Sequence, residues 1–276
     1  MKPDPIVYEI RATRNRLFNL KELWLYRELF YFFTWRDIKV KYKQTVLGFL
    51  WAILQPLLMM LIFTLFFARA LNIQNLAIPY PVFVFSGLII WNFFSSALTN
   101  ASNSMVNNAP IIKKIYFPRL IIPVSSLLGA LFDFIMAFIL FVIILLYYQT
   151  APGIHALYYW PLALLVTAIA SLGLGSWLSA LNVKYRDFRY VIPFLVQVLF
   201  FVTPVIYPTS VIDHEWIQYL IALSPMYAAI ELFRIPLLDT LPNYTFISIS
   251  ISTGIIFLFI GLIYFRRTED FFADLA

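Results

Sequence analysis

The chain has 276 residues, 62% of them apolar and 12% charged, with a mean hydropathy of +0.83. Soluble globular domains hold roughly 45–50% apolar and about 25% charged residues, so the composition excludes that class and marks an integral membrane protein. The chain has no cysteine, which excludes disulfides, thiolate metal sites and cysteine nucleophiles.

Residues 1–43 carry ten Lys/Arg and five acids with no uninterrupted apolar stretch of the kind that forms the hydrophobic region of a signal peptide. This does not fit a cleaved secretory signal, so the first hydrophobic span is expected to target the chain itself. Within this cytoplasmic segment, Lys21 to Lys43 (KELWLYRELFYFFTWRDIKVKYK) predicts one amphipathic helix. Lys21, Glu28, Arg36, Lys39 and Lys43 share one side, and Leu23, Tyr26, Phe30 and Phe33 lie opposite, although Phe32 falls on the charged side. Such a helix is too charged to cross a bilayer. It is expected at the interface, with its aromatic face at headgroup depth.

Residues 44–276 form the membrane domain. A spanning helix needs about 20 mainly apolar residues. Charge-free runs of that length are Gln44–Ala68, Ala70–Ile112, Phe134–Ile154 (extending back through Asp133 to Leu120), Ala156–Val183, Tyr190–Ile212 and Thr240–Phe265. Pro79-Tyr80-Pro81 breaks the second run, so its span is placed from about Val82. Six spans follow. Alternate connections hold 18 Lys/Arg on one side and 2 on the other, which predicts that both termini face the cytoplasm. The expected fold is all-α, with six transmembrane helices, an N-terminal interfacial helix and a re-entrant hairpin before the last span. That hairpin, within 213–239, is apolar yet split by Ser224-Pro225 into pieces too short to span. Asp213, Glu215, Glu231 and Asp239 accompany it against Arg234 alone.

Several chemistries are absent. No glycine precedes Lys-Ser or Lys-Thr, so no phosphate-cradling loop is present and ATP hydrolysis by this chain is not expected. His155 and His214 are the only histidines. His214-Glu215 opens like a zinc helix, but Gln218 stands where the second histidine must be, so no metal site is expected. No Gly-x-Ser-x-Gly elbow occurs. A membrane-embedded glycosyl- or acyltransferase would show a carboxylate pair or an interfacial histidine, and a secondary carrier would need intramembrane charges beyond Asp133.

Asp133 is the one ionisable residue deep in a predicted span and must find a donor or water, in either a functional or a structural role. On the second span, Asn92, Ser95, Ser96, Thr99 and Asn103 recur at helical spacing. They either pack against a neighbouring helix or face a hydrated pathway, and the continuation through Asn107 and Asn108 favours the pathway. Gln55-Pro56 and Gln197 place polar groups on kinkable first and fifth spans. Ser171, Gly175 and Ser179 read as a close helix-packing face. On the fifth span, Tyr190, Phe194, Phe200, Phe201 and Tyr207 suggest an aromatic lining over which sugar rings could slide.

One segment resists a purely topological reading. Asn107–Pro123 (NNAPIIKKIYFPRLIIP) spans the end of a run of 43 charge-free residues, Ala70–Ile112, and sets Lys113, Lys114 and Arg119 between and just after Pro110 and Pro118. The charges hold the connection in the cytoplasm, but orientation alone does not explain its apolar residues.

Together with YKQTVLGFLWAILQPLL, LNVKYRDFRYVIPF, VTPVIYP and LSPMYAAIELFR, this segment resembles the permease subunits of ABC transporters that export bacterial cell-surface polysaccharides: the O-antigen, capsule and teichoic acid exporters. The resemblance covers nearly the whole chain. It implies a homodimer in the cytoplasmic membrane around a central channel for a lipid-linked polysaccharide. Two separate ATP-binding cassette subunits would carry ATP and Mg, and no cofactor or nucleic acid would bind this chain. A drug or lipid exporter of the same fold is the alternative. The resemblance makes 107–119 the coupling segment, with Ile111, Ile112, Lys113, Lys114, Ile115, Tyr116 and Phe117 meeting the ATPase and Ile112, Ile115, Tyr116 and Phe117 presented to it. Gln55, Asn92, Ser96, Asn103, Gln197, Phe200, Phe201 and Tyr207 would follow the substrate path, and Trp216, Tyr219, Pro225 and Tyr227 the outer gate.

Overall fold

The computed structural model describes residues 20–43, 50–70, 76–212, 214–238, 242–269 and 272, with only the backbone described at 20 and 68–70. Asp213 and Asp239 lie outside the described residues. The chain is an all-α integral membrane protein. In order, the helices are α1 (Leu20–Leu25), α2 (Arg27–Lys43), α3 (Leu50–Ala70), α4 (Tyr80–Asn107), α5 (Ala109–Ile112), α6 (Ile121–Tyr147), α7 (Ala156–Lys184), α8 (Phe188–Val202), α9 (Glu215–Ala222), α10 (Pro225–Leu238) and α11 (Tyr244–Thr268).

Five of these, α3, α4, α6, α7 and α11, are long and apolar enough to cross a membrane. At about 1.5 Å per residue, the 21 residues of α3 match a hydrocarbon core of about 30 Å, and the longer helices extend past it. Turn chemistry sets their ends. Pro81 is tolerated in the first turn of α4, so that helix begins at Tyr80 rather than beyond the proline pair. It stops at Asn107 instead of running to Ile112, because the chain turns at Asn108 and Pro110 opens the new helix α5. Gln149 adopts a left-handed φ of 53° just past α6, and Thr150 N–H reaches back to the Leu145 carbonyl at 3.0 Å, a reversal that ends the helix inside a charge-free run.

The fifth expected span departs from its expectation. Helix α8 has 15 residues, about 22 Å of helix, and irregular chain continues it. Pro204 disfavours the helical conformation at Thr203, which is extended at φ −82°, ψ 138°. Irregular backbone in an apolar surround must have its polar groups satisfied, and side chains do so here. The Tyr207 hydroxyl donates to the carbonyls of Phe201 and Val202 at 3.1 and 3.0 Å. Arg234 donates to Pro204 at 2.7 Å and also to Val205, and Tyr80 donates to Ile206 at 2.9 Å.

Helices α9 and α10 meet at 99° across Ser224-Pro225, the break expected from the sequence. The bend is pinned: Ser224 Oγ lies 3.0 Å from Thr203 Oγ1, and its carbonyl accepts from Ser250 Oγ at 2.7 Å. Almost all of α10 is buried, against α4, α7 and α11. Aromatic rings of Phe138, Phe141, Trp160 and Phe233 join it to α6 and α7 at centroid separations of 5.4–6.4 Å. Glycines permit the tightest crossings. A Cβ on Gly261 of α11 would lie 2.0 Å from the Gly173 carbonyl oxygen of α7, and one on Gly175 would lie 2.8 Å from Ala101 Cβ of α4. Ser171 and Ser179 are fully buried on the same helix as Gly175.

The N-terminal region is two helices, interrupted at Tyr26. Leu23, Tyr26, Phe30 and Phe33 share a face as the pattern predicts, but that face covers a protein core instead of lying at headgroup depth. Trp24, Tyr31, Phe32 and Trp35 are the aromatics left outward. Helix α2 then climbs beside α6. Thr34 Oγ1 donates to the Ser125 carbonyl at 3.4 Å, and eight residues further along both helices Tyr42 bonds Asp133.

Candidate functional site

Two features combine exposure with construction, one at the end of the bundle where α4 ends and α6 begins and the other reaching from there to mid-bundle. The first is the elbow from Asn108 to Leu120. Its short helix α5 and the turns after it sort the apolar residues into two sets. Ile112 and Phe117 are 5% and 4% exposed, whereas Ile115 and Tyr116 are 62% and 79% exposed. The inward pair joins Phe33 of α2, Ile121 and Ile122 of α6, Ala180 of α7 and Phe265 of α11 in one small core. Phe33 and Phe117 meet at 5.5 Å between centroids. The expectation that Ile112 and Phe117 are presented outward is therefore corrected: they anchor the elbow, because a four-residue helix cannot hold itself without burying side chains. Ile111 packs at the edge of this core, and Lys113 and Lys114 are exposed beside Ile115 and Tyr116. The backbone N–H of Arg119 donates to Glu269 Oε1 at 3.3 Å, tying the elbow to the end of α11.

The second feature is a cleft of 1010 Å³ bounded by α2, α3, α4, α6 and α8. Gln55, Asn92, Ser95, Ser96, Thr99 and Asn100 line it with amides and hydroxyls, and Trp51, Pro56, Phe93 and Phe134 supply apolar walls. An adjoining cavity of 740 Å³ shares Lys41, Tyr42, Ser96, Asn100 and Asp133 with the cleft and continues past Asn107 and Asn108 to Pro110 and Ile111. One polar track thus runs from the elbow to the middle of the bundle. Asp133 stands where the two cavities meet, with the Lys41 ammonium and the Tyr42 hydroxyl both donating to its carboxylate. Burial, and then the carboxylate it serves, raises the Tyr42 phenol above its ordinary value, so the hydroxyl remains a donor at physiological pH.

The other expected path residues are scattered. Asn103 turns to α7: its Nδ2 donates to the Thr99 carbonyl at 2.9 Å and its Oδ1 accepts from Asn182 at 3.0 Å. Gln197 and Phe201 are exposed on α8. Phe200 points the other way, packing on Phe63 and Trp91 at 5.8 and 5.5 Å. Tyr207 is committed to the end of α8. At the far end, Trp216 and Tyr219 are exposed on α9, while Pro225 and Tyr227 are buried on α10. The hairpin therefore separates an exposed arm from an arm built into the core.

Sequence reasoning missed Lys41 and Tyr42 as neighbours of the cleft, although the need of Asp133 for a donor was a signal that such residues exist. It also gave no hint that Arg234 is 1% exposed. Its guanidinium lies over the Phe83 ring, 3.7 Å from the centroid.

The comparisons agree with this architecture. Residues 28–238 match the family described as ABC-2 type transporter, a stretch that includes the elbow, both cavities and the bent pair. The chain is 32% identical over 241 residues to the O-antigen export system permease protein RfbA of Klebsiella pneumoniae, covering 87% of this chain and 92% of that one. RfbA of Myxococcus xanthus is 32% identical over 210 residues, 75% and 79% of the two chains. The polysialic acid transport protein KpsM of Escherichia coli is 25% identical over 247 residues, 85% and 91%. By the extent of these matches and the helical bundle that carries them, the chain belongs to the ABC-2 type transporter family.

Proposed function

We propose that the chain is the membrane subunit of an ATP-driven exporter that moves a lipid-linked polysaccharide outward across the cytoplasmic membrane, working as a homodimer with two separate ATP-binding cassette subunits. Both termini and the elbow face the cytoplasm, and the α9–α10 bend faces outward, in keeping with the placement of Lys and Arg. The similarity to O-antigen export permeases supports the cargo class.

The observation that carries the reading is the elbow. It exposes Ile115 and Tyr116 beside two lysines, while Ile112 and Phe117 root it in a core shared by α2, α6, α7 and α11. Apolar side chains held outward on so well-anchored a base suit a partner's cleft. A push there reaches four helices at once, because packed cores transmit displacement. The cleft supplies the complementary half. Neutral amides and hydroxyls exchange hydrogen bonds with sugar hydroxyls at little net cost, so a polymer can be held weakly at many points and still move.

The test is to co-purify the chain with its cassette subunit and measure ATP hydrolysis and glycan export for an Ile115→Asp, Tyr116→Asp double variant. The expected result is loss of the complex and at least a tenfold loss of export, with an unchanged melting temperature for the isolated chain. Export at the wild-type rate would contradict the docking assignment.

A further inference from the structure

Helix α11 is held at both ends by contacts that its own helical bonds do not require. At the elbow end, the Arg119 N–H donates to Glu269 Oε1 at 3.3 Å, and Arg266 faces the same carboxylate at 3.6 Å. Phe272 lies fully buried in the small core beneath the elbow, its ring 5.0 Å from that of Phe265 and 5.9 Å from the Arg119 guanidinium. Backbone, ring and guanidinium thus clamp the elbow to the last turn of α11. At the far end, one buried hydroxyl bridges the bend. Ser250 Oγ donates to the Ser224 carbonyl, where α9 ends, at 2.7 Å and accepts from the Ala228 N–H of α10 at 2.9 Å. Four residues earlier, Phe246 meets Tyr219 of α9 edge-on at 5.1 Å between centroids.

Between clamp and pin, the 25 residues of α11 make a rod of about 37 Å. No proline interrupts it, and it crosses α7 with Gly261 against Gly173, too close for any side chain to cushion the contact. The two arms of the bend differ in freedom. Arg234 fixes α10 to α4 and to the chain after α8 by donating to the Phe83, Pro204 and Val205 carbonyls. Helix α9 instead exposes Trp216, Leu220 and Leu223, and the bend encloses a cavity of 430 Å³ lined from α4, α9, α10 and α11. A displacement of α11 therefore acts at Ser224 on an arm that has room to turn, while its partner arm stays in the core.

We propose that α11 is the rod that carries displacement of the elbow to the α9–α10 bend, with Glu269 and Phe272 as positioning residues at its elbow clamp and Ser250 at its outer pin. The assignment rests on the elbow being driven by a cassette subunit, as in the export reading above, and adds the route by which the opposite end responds. Coupling along one route is lost whichever end is released, so breaking both ends costs no more than breaking one.

The experiment places the full chain with its cassette subunit in lipid nanodiscs. The chain has no native cysteine, so Leu220→Cys carries one environment-sensitive fluorophore that reports movement of α9. Wild type should show a fluorescence change when ATP is added. The Glu269→Ala, Phe272→Ala pair and, separately, Ser250→Ala should each reduce that change at least fivefold, with cassette affinity within twofold of wild type, and all three together should reduce it no further. Glu269→Gln retains an oxygen to accept from the Arg119 N–H and should keep the wild-type change, whereas Glu269→Ala alone should halve it; this comparison serves where Phe272→Ala fails to fold. No ATP-dependent change in wild type, an undiminished change in the clamp or pin variants, or losses that multiply on combination would overturn the rod. Export of a labelled lipid-linked glycan by the same complex in proteoliposomes separates the two readings. A fluorescence change that depends on clamp and pin without any export removes the export reading and leaves the rod, whereas export with no dependence on either removes the rod alone.

Discussion

Arg234 is fully buried with one guanidinium serving three backbone carbonyls and a serine. Replacing it with Met leaves those acceptors without donors at a depth where water does not compensate. The expected cost is at least about 3 kcal/mol, read as a lower melting temperature in detergent. Arg234→Lys should recover only part of it, since one ammonium cannot span the same acceptors. At Asp133 the stakes are smaller because Lys41 is half exposed and screened: Asp133→Asn should cost about 1 kcal/mol. Its sharper consequence is looser attachment of α2 to α6. The chain has no native cysteine, so a Thr34→Cys, Ser125→Cys pair reports that attachment, and its crosslinking should slow when Asp133→Asn is added. An unchanged crosslinking rate would mean that the ion pair does not hold α2. The sequence showed that a carboxylate inside a span requires a donor. It could not show which, because Lys41 lies ninety-two positions away along the chain, and helical periodicity carries no information across that distance. Arg234 was equally opaque, since two of its acceptors, the Pro204 and Val205 carbonyls, become available only once α8 breaks.

Among the elements, the elbow divides by burial, and substitutions should divide the same way. Phe117→Asp or Ile112→Asp places a charge in a closed core and is expected to destabilise the isolated chain by about 3 kcal/mol or more. The outward Ile115→Asp, Tyr116→Asp pair should leave its melting temperature within a degree or two and act only on the complex. Equal destabilisation by both sets would contradict the two-faced elbow. The contact between α7 and α11 offers a second check. Gly261→Ala would bring a methyl to 2.0 Å from the Gly173 carbonyl oxygen, so the helices must separate, at a cost of about 1–3 kcal/mol. The basic, proline-bracketed character of the elbow was legible in its composition, as was the break at Ser224-Pro225. Which apolar residues of the elbow face inward was not legible, because the short helix α5 takes its direction from the core it caps. The shortness of α8 was half legible: Pro204 announced a perturbation, but only Tyr80 and Arg234 arriving from other parts of the chain, together with Tyr207 folding back from within the segment, allow irregular backbone to persist there.

At the scale of the whole molecule, a polar track begins at the elbow, passes Asp133 at mid-bundle, and has a separate polar cavity at the opposite end. The all-α class and the five uninterrupted long helices could be read from runs of charge-free residues, because the bilayer fixes the length of a span. The position of α2 could not, since its aromatic face suits lipid headgroups and protein equally, and only the small core beneath the elbow, which that face completes, decides between them. In the proposed reading, movement of cargo is driven through the elbow by a separate ATP-hydrolysing subunit. The most direct measurement is translocation of a fluorescently labelled lipid-linked glycan into proteoliposomes containing the purified chain, with and without its ATP-binding cassette subunit. The account predicts transport only when both the cassette subunit and hydrolysable ATP are present, and none with the Ile115→Asp, Tyr116→Asp variant. Sustained transport by the chain alone, without nucleotide, would contradict it.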